Sequence, residues 1–149
     1  MCGINGIFRF NGSPVTTEEL SVMNSMMMHR GPDDDGFYTD SNIGLSIRRL
    51  SIIDIQGGHQ PISNEDGRYW VVLNGEIYNY LELREELIGT GHRLKTMTDT
   101  EVLVHLYEDL GERCLERLNG MFAFAIWDSH KQELFVANDR PGIKPLFYY

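Results

Sequence analysis

Met1-Cys2-Gly3-Ile4-Asn5-Gly6-Ile7-Phe8-Arg9-Phe10-Asn11-Gly12 opens the chain, and the reading of this stretch decides what fold can follow. Gly3 to Phe10 has the β-branched and aromatic content of a strand, and Asn11-Gly12 is a turn signal that closes it. Just beyond, Thr16 and Glu19 stand at capping-box spacing, and Leu20, Met23 and Met27 recur at helical intervals. That helix should end before His29-Arg30-Gly31-Pro32-Asp33. The Met26 to Met28 run is read as core at this spacing rather than as an interaction surface.

Outward from this β-α beginning, strand and helix signals continue without a linker or low-complexity stretch. Strands are expected over Gly36 to Thr39, Ile43 to Arg48 and, after the turn signal Asp66-Gly67, Tyr69 to Leu73. A second helix starts at Asn79, with Glu82 three residues on, and buries Leu83 and Leu87. A third starts near Asp99, carries Val102, Leu103, Leu106, Tyr107 and Leu110 as its apolar stripe, and stops at Gly111. Met121 to Trp127, Glu133 to Asn138 and Leu146 to Tyr149 read as strands. Strands, then helices, then strands again imply an α+β fold with helices packed on sheet faces. The apolar, strand-like ending reads as a domain cut from a longer protein.

The chain has 149 residues, enough for one domain with a real core, and 42% hydrophobic with 23% charged residues is ordinary globular composition. No apolar run approaches the length of a membrane span, and no signal-peptide pattern opens the chain. With 22 acidic against 13 basic residues, the net charge is -9. No Lys/Arg cluster supplies the positive field that nucleic-acid binding needs. Cys2 and Cys114 make no disulfide framework, so reduced thiols and a cytoplasmic location are expected. The five histidines fall at no zinc-ligand spacing, which argues against a metal site.

Cys2 is the sharpest chemical feature. Once Met1 is removed, this residue carries both a thiol and a free α-amine, which titrate within about one unit of each other in model peptides. The amine can then act as general base for its own nucleophile. Taken alone, a cysteine after Met1 usually means nothing. Asn74-Gly75-Glu76 follows the expected strand Tyr69 to Leu73, where a turn could present a side-chain amide and a backbone N–H as an oxyanion hole. Taken alone, Asn-Gly is only a turn. Arg49 could grip a carboxylate through two parallel hydrogen bonds or be a solvated strand end. Asp99 is either a helix N-cap or a counter-charge for an ammonium.

Together the positions spell more than each does separately. Cys2-Gly3-Ile4-Asn5-Gly6, His29-Arg30-Gly31-Pro32-Asp33, Arg49-Leu50-Ser51-Ile52, Asn74-Gly75-Glu76-Ile77-Tyr78-Asn79, Thr98-Asp99-Thr100-Glu101, Gly120-Met121-Phe122-Ala123-Phe124-Ala125 and Asp139-Arg140 with Gly142, Lys144, Pro145 and Leu146 occur in order. This pattern resembles the class II glutamine amidotransferase domain, nearest to the N-terminal half of glutamine-dependent asparagine synthetases, and it runs from Cys2 to Tyr149.

The resemblance implies an N-terminal-nucleophile hydrolase fold, a four-layer αββα sandwich of antiparallel sheets. It implies hydrolysis of the L-glutamine side-chain amide through a thioester on Cys2, with the oxyanion held by Asn74 and Gly75. Arg49 would bind the substrate's α-carboxylate, Asp99 and Glu76 its α-ammonium, and Leu50, Ile52 and Ile53 would line the pocket. His29 to Asp33 would shape the site. The implied domain takes no cofactor; ATP and Mg belong to a synthetase domain, C-terminal or separate, whose phosphate loop is absent here. A homodimer is a possible assembly. Two positions depart from the family: Ile47 stands where relatives commonly have histidine, and Pro141 where they have a bulkier side chain. Neither removes a group the chemistry needs, but Ile47 leaves open an acceptor other than aspartate. The alternatives are a catalytically silent glutamine-binding or regulatory domain, and a hydrolase of another amide.

Overall fold

The computed structural model describes residues 1–149. In chain order it holds β1 (Gly3–Phe8), α1 (Thr17–Ser25), β2 (Asp34–Asp40), β3 (Ile43–Arg49), β4 (Ile62–Ser63), β5 (Tyr69–Ile77), α2 (Tyr80–Thr90) and α3 (Asp99–Leu110). A 3-10 turn over Gly111–Glu116, β6 (Gly120–Asp128) and β7 (Glu133–Asn138) complete it. The strands form two antiparallel sheets, ordered β1-β3-β2 and β4-β5-β6-β7.

Strand periodicity explains how the sheets stack. Along β3, Ile43, Leu45 and Ile47 point one way and are fully buried against Val72, Ala125 and Trp127 of the other sheet. Ile4 and Phe8 of β1 join this inter-sheet core. On the opposite face of β5 and β6, Tyr69, Val71, Leu73, Phe122, Phe124 and Ile126 meet Leu83 and Leu87 of α2 and Val102, Leu103 and Leu106 of α3. The outer face of the smaller sheet is covered by α1, whose Leu20 lies against Gly44; a Cβ there would strike it. Helix, sheet, sheet, helix gives the four-layer αββα sandwich.

Helix starts follow their sequence signals closely. Thr16 caps α1 with the reciprocal Glu19 bonds of a capping box. Leu83 and Leu87 are the buried residues of α2, and Gly111 ends α3. The Asp66-Gly67 turn joins β4 to β5, with Gly67 at φ +76°.

Other expectations are corrected. β1 ends at Phe8, because the chain already turns through a Gly12 N–H to Arg9 carbonyl bond; Phe10 is exposed. Met26 and Met28 are exposed rather than core, since α1 stops at Ser25 and the following turns rotate them outward. Thr98, not Asp99, caps α3, its hydroxyl accepting from the Glu101 N–H at 3.2 Å. Asn79 stands at the cap of α2 but bonds Arg117 and Asn119 instead. Leu146 to Tyr149 forms no strand; no neighbouring edge pairs with it, and Phe147, Tyr148 and Tyr149 are exposed. No helix is long and apolar enough to cross a membrane.

Candidate active site

The pocket opens at one end of the sandwich. Cys2 immediately precedes β1, one step before the Gly3–Arg48 pair, which brings it beside Arg49 at the end of β3. Residue parity continues the inter-sheet pattern: Cys2 follows Ile4, and Arg49 follows Ile47, onto the inward face. Asn74 and Glu76 likewise follow Trp70 and Val72 along β5. Cys2, Arg49, Leu50, Ile52, Ile53, Asn74, Gly75, Glu76 and Asp99, the residues singled out in the sequence, therefore line one pocket.

Asn74-Gly75-Glu76 is not a turn after a strand. β5 runs on to Ile77, and these three residues pair with Ala123, Phe122 and Met121 of β6. The ladder overrides the local turn preference of Asn-Gly. Gly75 is required for a different reason: at φ +155° its added Cβ would run into the Met121 carbonyl. The Asn74 side chain is only 6% exposed, and its Oδ1 has no hydrogen-bond partner in the protein. That oxygen is an acceptor, and a buried acceptor left orphaned costs free energy unless a donor satisfies it, so it is offered to an N–H of whatever enters the pocket.

The half-buried Cys2 thiol faces the Leu50 carbonyl at 3.8 Å and is unpaired. The His29 to Asp33 segment buttresses it: Arg30 donates to the Cys2 carbonyl at 3.5 Å, Arg48 to the Gly31 carbonyl at 2.9 Å, and Asp33 accepts from the Ser51 N–H at 2.9 Å. Arg49 is 5% exposed and donates to the carbonyls of Ile53 (2.9 Å), Asp54 (2.8 Å) and Ile55 (3.4 Å). A guanidinium has five N–H donors, so the side chain both ties down the loop after β3 and keeps donors for a ligand.

On the opposite wall Asp99 accepts from the Ile77 N–H at 3.0 Å, joining α3 to β5. Burial, with the nearby Glu76 charge, raises its pKa above the ordinary aspartate value. An arriving cation would reverse that pressure. The pocket thus gathers the Arg49 guanidinium, the Asp99 and Glu76 carboxylates and the Cys2 thiol.

Two polar lining groups, Gln60 and Lys144, escaped the sequence reading. Gln60 bridges the Leu73 N–H and the Thr100 hydroxyl. Lys144 is buried, with its ammonium against the Met1 sulfur. The Asp139 carboxylate folds the loop that carries Lys144, accepting from Phe122, Ile143 and Lys144 N–H groups at 2.7–3.0 Å. Only the Asp139-to-Leu146 motif hinted at them. Met1 itself lies in the pocket wall, half exposed. Ile47, the departure from the family pattern, is a core side chain between the sheets.

A thiol at residue 2, set in an αββα sandwich with an orphaned amide across the pocket, defines the N-terminal-nucleophile amidotransferase class. Solved structures agree. The glutamine phosphoribosylpyrophosphate amidotransferase of B. subtilis, in its complex with ADP and GMP, aligns over 68% of this chain and 24% of its own, with TM-score 0.53 and 27% identity. A structure described as the allosteric regulatory enzyme of purine biosynthesis aligns over 70% of this chain and 25% of its own, with TM-score 0.55 and 26% identity.

Within that class the chain belongs to the glutamine amidotransferase domain family, whose model matches residues 1–149. It is 48% identical to asparagine synthetase [glutamine-hydrolyzing] 1 of Bacillus subtilis over 99% of its length, and 39% identical to asparagine synthetase B of Escherichia coli, also over 99%. The chain spans about a quarter of the length of these relatives, 24% and 26%.

Proposed function

We propose that this domain hydrolyses the side-chain amide of L-glutamine and supplies the ammonia to an ATP-dependent synthetase domain. The carrying observation is the pocket itself, which the Cys2 thiol, Asn74 and Gly75, Arg49, and the Asp99 and Glu76 carboxylates line together. With Lys144 turned toward Met1, the Arg49 cation and the two anions are left to complement the zwitterionic end of an amino acid. Glutamate as substrate would bring an extra negative charge where the site offers an amide.

With Met1 removed, the Cys2 α-amine accepts the thiol proton as sulfur bonds to the amide carbon. The Asn74 amide and Gly75 N–H hold the oxyanion, donors fixed in advance by the β5–β6 ladder. The amine returns the proton to the leaving nitrogen, the C–N bond breaks, and ammonia departs. Water then adds to the γ-glutamyl thioester, expelling the thiolate and releasing glutamate. Every step uses only protein groups and water; ATP and Mg serve the synthetase half, which activates a carboxylate acceptor. Both cysteines are unpaired, and a nucleophilic thiol works reduced, which supports a cytoplasmic setting.

Cys2→Ala tests the reading. It should remove glutamine hydrolysis down to the assay floor, as loss of a nucleophile that works as a unit with its base does. Calorimetry should still show glutamine binding, because Arg49, Asp99 and Glu76 remain. Wild-type protein should be labelled at Cys2 by a glutamine-like electrophile, seen by mass spectrometry, in proportion to its des-Met fraction. Absence of both hydrolysis and labelling in des-Met protein would make this a silent glutamine-binding domain; full activity with Met1 retained would defeat the amine as base.

A further inference from the structure

Away from the pocket, the fold assembles a second group of side chains from three separate segments. Glu65 lies in the turn between β4 and β5, His92 follows α2, and His105 and Glu108 sit one turn apart on α3. One nitrogen or oxygen from each lies within 4.8 Å of all the others. His105 is 1% exposed; both its ring nitrogens face carboxylates without an aligned hydrogen bond, and Glu108 Oε2 is likewise buried without one. Buried nitrogens held near carboxylates but not bonded to them are a costly arrangement that a shared ligand would relieve.

The spacing is compatible with a bound ion. His105 Nδ1 is 3.2 Å from Glu65 Oε2 and 3.7 Å from Glu108 Oε2, while His92 Nδ1 is 3.5 Å from the other Glu65 oxygen, Oε1, and 3.9 Å from Glu108 Oε2. Charge-assisted N–H to carboxylate bonds are shorter, about 2.7–2.9 Å. A tetrahedral ion with bonds of about 2.0–2.1 Å holds its ligand atoms about 3.3–3.4 Å apart; the nitrogen–oxygen distances here, 3.2–3.9 Å, bracket that value, and a modest contraction of the cluster would reach it. The outward nitrogens complete the pattern. His92 Nε2 faces Asp109 at 3.2 Å, and His105 Nε2 faces Glu101 at 3.8 Å, whose carboxylate is fixed by the Lys95 and Thr96 N–H groups at 2.7 and 2.6 Å. A carboxylate behind each imidazole is the usual outer support of a metal-bound histidine. Four carboxylates around two imidazoles also leave excess negative charge that a dication offsets.

We propose that Glu65, His92, His105 and Glu108 form a tetrahedral site for a divalent cation of the zinc class. With four protein ligands it is a closed, structural site. It staples the β4–β5 turn and the segment after α2 to α3, the helix whose first residue is Asp99. Local spacing missed it because the ligands come from three segments.

The test uses the untagged chain, stripped by chelator and titrated with zinc chloride against a chromophoric competitor. One zinc per chain should bind, raising the thermal midpoint, and Co(II) in its place should give the intense visible bands of tetrahedral coordination. His92→Gln, at the cluster's more accessible edge, should weaken zinc at least about tenfold. Asp109→Asn, which alters only the outer support, should weaken it about 10–100-fold and keeps the test decisive if the first variant misfolds. Absence of stoichiometric zinc, octahedral Co(II) spectra, or variants that bind like wild type would overturn the proposal.

Discussion

In the four-stranded sheet, β5 and β6 pair over nine residues and pack a cluster of 14 buried apolar residues under α2 and α3. The three-stranded sheet has only α1 on its outer face, and that helix buries just Leu20 and Asn24. Its contacts there are small and polar: Ser46 donates to Asn5 at 2.6 Å, and Asn24 to the Ile47 carbonyl at 3.2 Å. The two sheets also bring different chemistry to the pocket. The heavily packed side holds Asn74, Gly75 and Glu76 on β5 and Asp99 on α3, the proposed oxyanion donors and ammonium ligands. The lightly packed side brings Cys2, the proposed nucleophile, and, through Arg49, a loop tied by hydrogen bonds rather than by burial. The difference teaches that preorganisation is concentrated where charge develops, while the wall that meets the substrate's carboxylate is held by replaceable polar contacts.

The largest stability effect should therefore fall on the four-stranded side. Phe124→Ala, at 0% exposure in the helix-facing cluster, should cost about 3–5 kcal/mol. Val22→Ala, 67% exposed on α1, should stay within about 0.5 kcal/mol. Denaturant melts that gave comparable losses for the two would erase the contrast between the sheets.

Next in size is Asn74→Ala. Removing one preorganised oxyanion donor should lower kcat about 100–1000-fold, or about 2.7–4 kcal/mol, with KM little changed. A loss confined to KM in steady-state kinetics would move Asn74 from the oxyanion to ground-state binding.

Arg49→Lys should be milder and of opposite type. The charge stays but the planar fork is lost, raising KM by about 1.5–3 kcal/mol, the worth of one charge-assisted hydrogen bond. Because Arg49 also holds the Ile53, Asp54 and Ile55 carbonyls, amides of that loop should exchange hydrogen faster in the variant. An unchanged KM would show that Arg49 serves the loop and not the substrate.

Much of this was legible in the sequence, unevenly so. The Thr16–Glu19 box and the Leu83–Leu87 pair declared their helices because capping and helical periodicity are local properties. The pocket residues were legible only through a family pattern, since nothing in the sequence brings Cys2 beside Arg49 and Asn74. Asn74-Gly75-Glu76 was misread as a turn because pairing with β6 is a long-range fact that local propensity cannot contain. Lys144, Gln60 and the His92–His105 cluster were missed for the same reason. Their surroundings come from distant segments, and their side chains carry no periodicity.

The smallest expected effect is a displacement along the pH axis, and it probes the packed wall directly. Burial raises the pKa of Asp99, with the Glu76 charge adding to it. Only the ionised carboxylate attracts the substrate ammonium, so binding is complete above this pKa and is lost as pH falls through it. Since the folded value is raised, the loss begins at higher pH than an ordinary aspartate, near about 3.9, would give. Stability responds with the opposite sign: the folded protein takes up this proton more readily than the unfolded chain, so Asp99 favours folding as pH falls. KM should therefore rise on acidification, by at most about tenfold per unit, in a range where Asp99 is not weakening the fold. Asp99→Asn should have a high KM with this limb abolished, whereas Glu76→Gln should retain it. The Ile77 N–H would keep an amide oxygen to bond, so the Asn variant should fold. A wild-type KM flat down to the ordinary aspartate range, or an acid limb that survives Asp99→Asn, would take the ammonium away from Asp99. The carboxylate would then be only a clamp between α3 and β5.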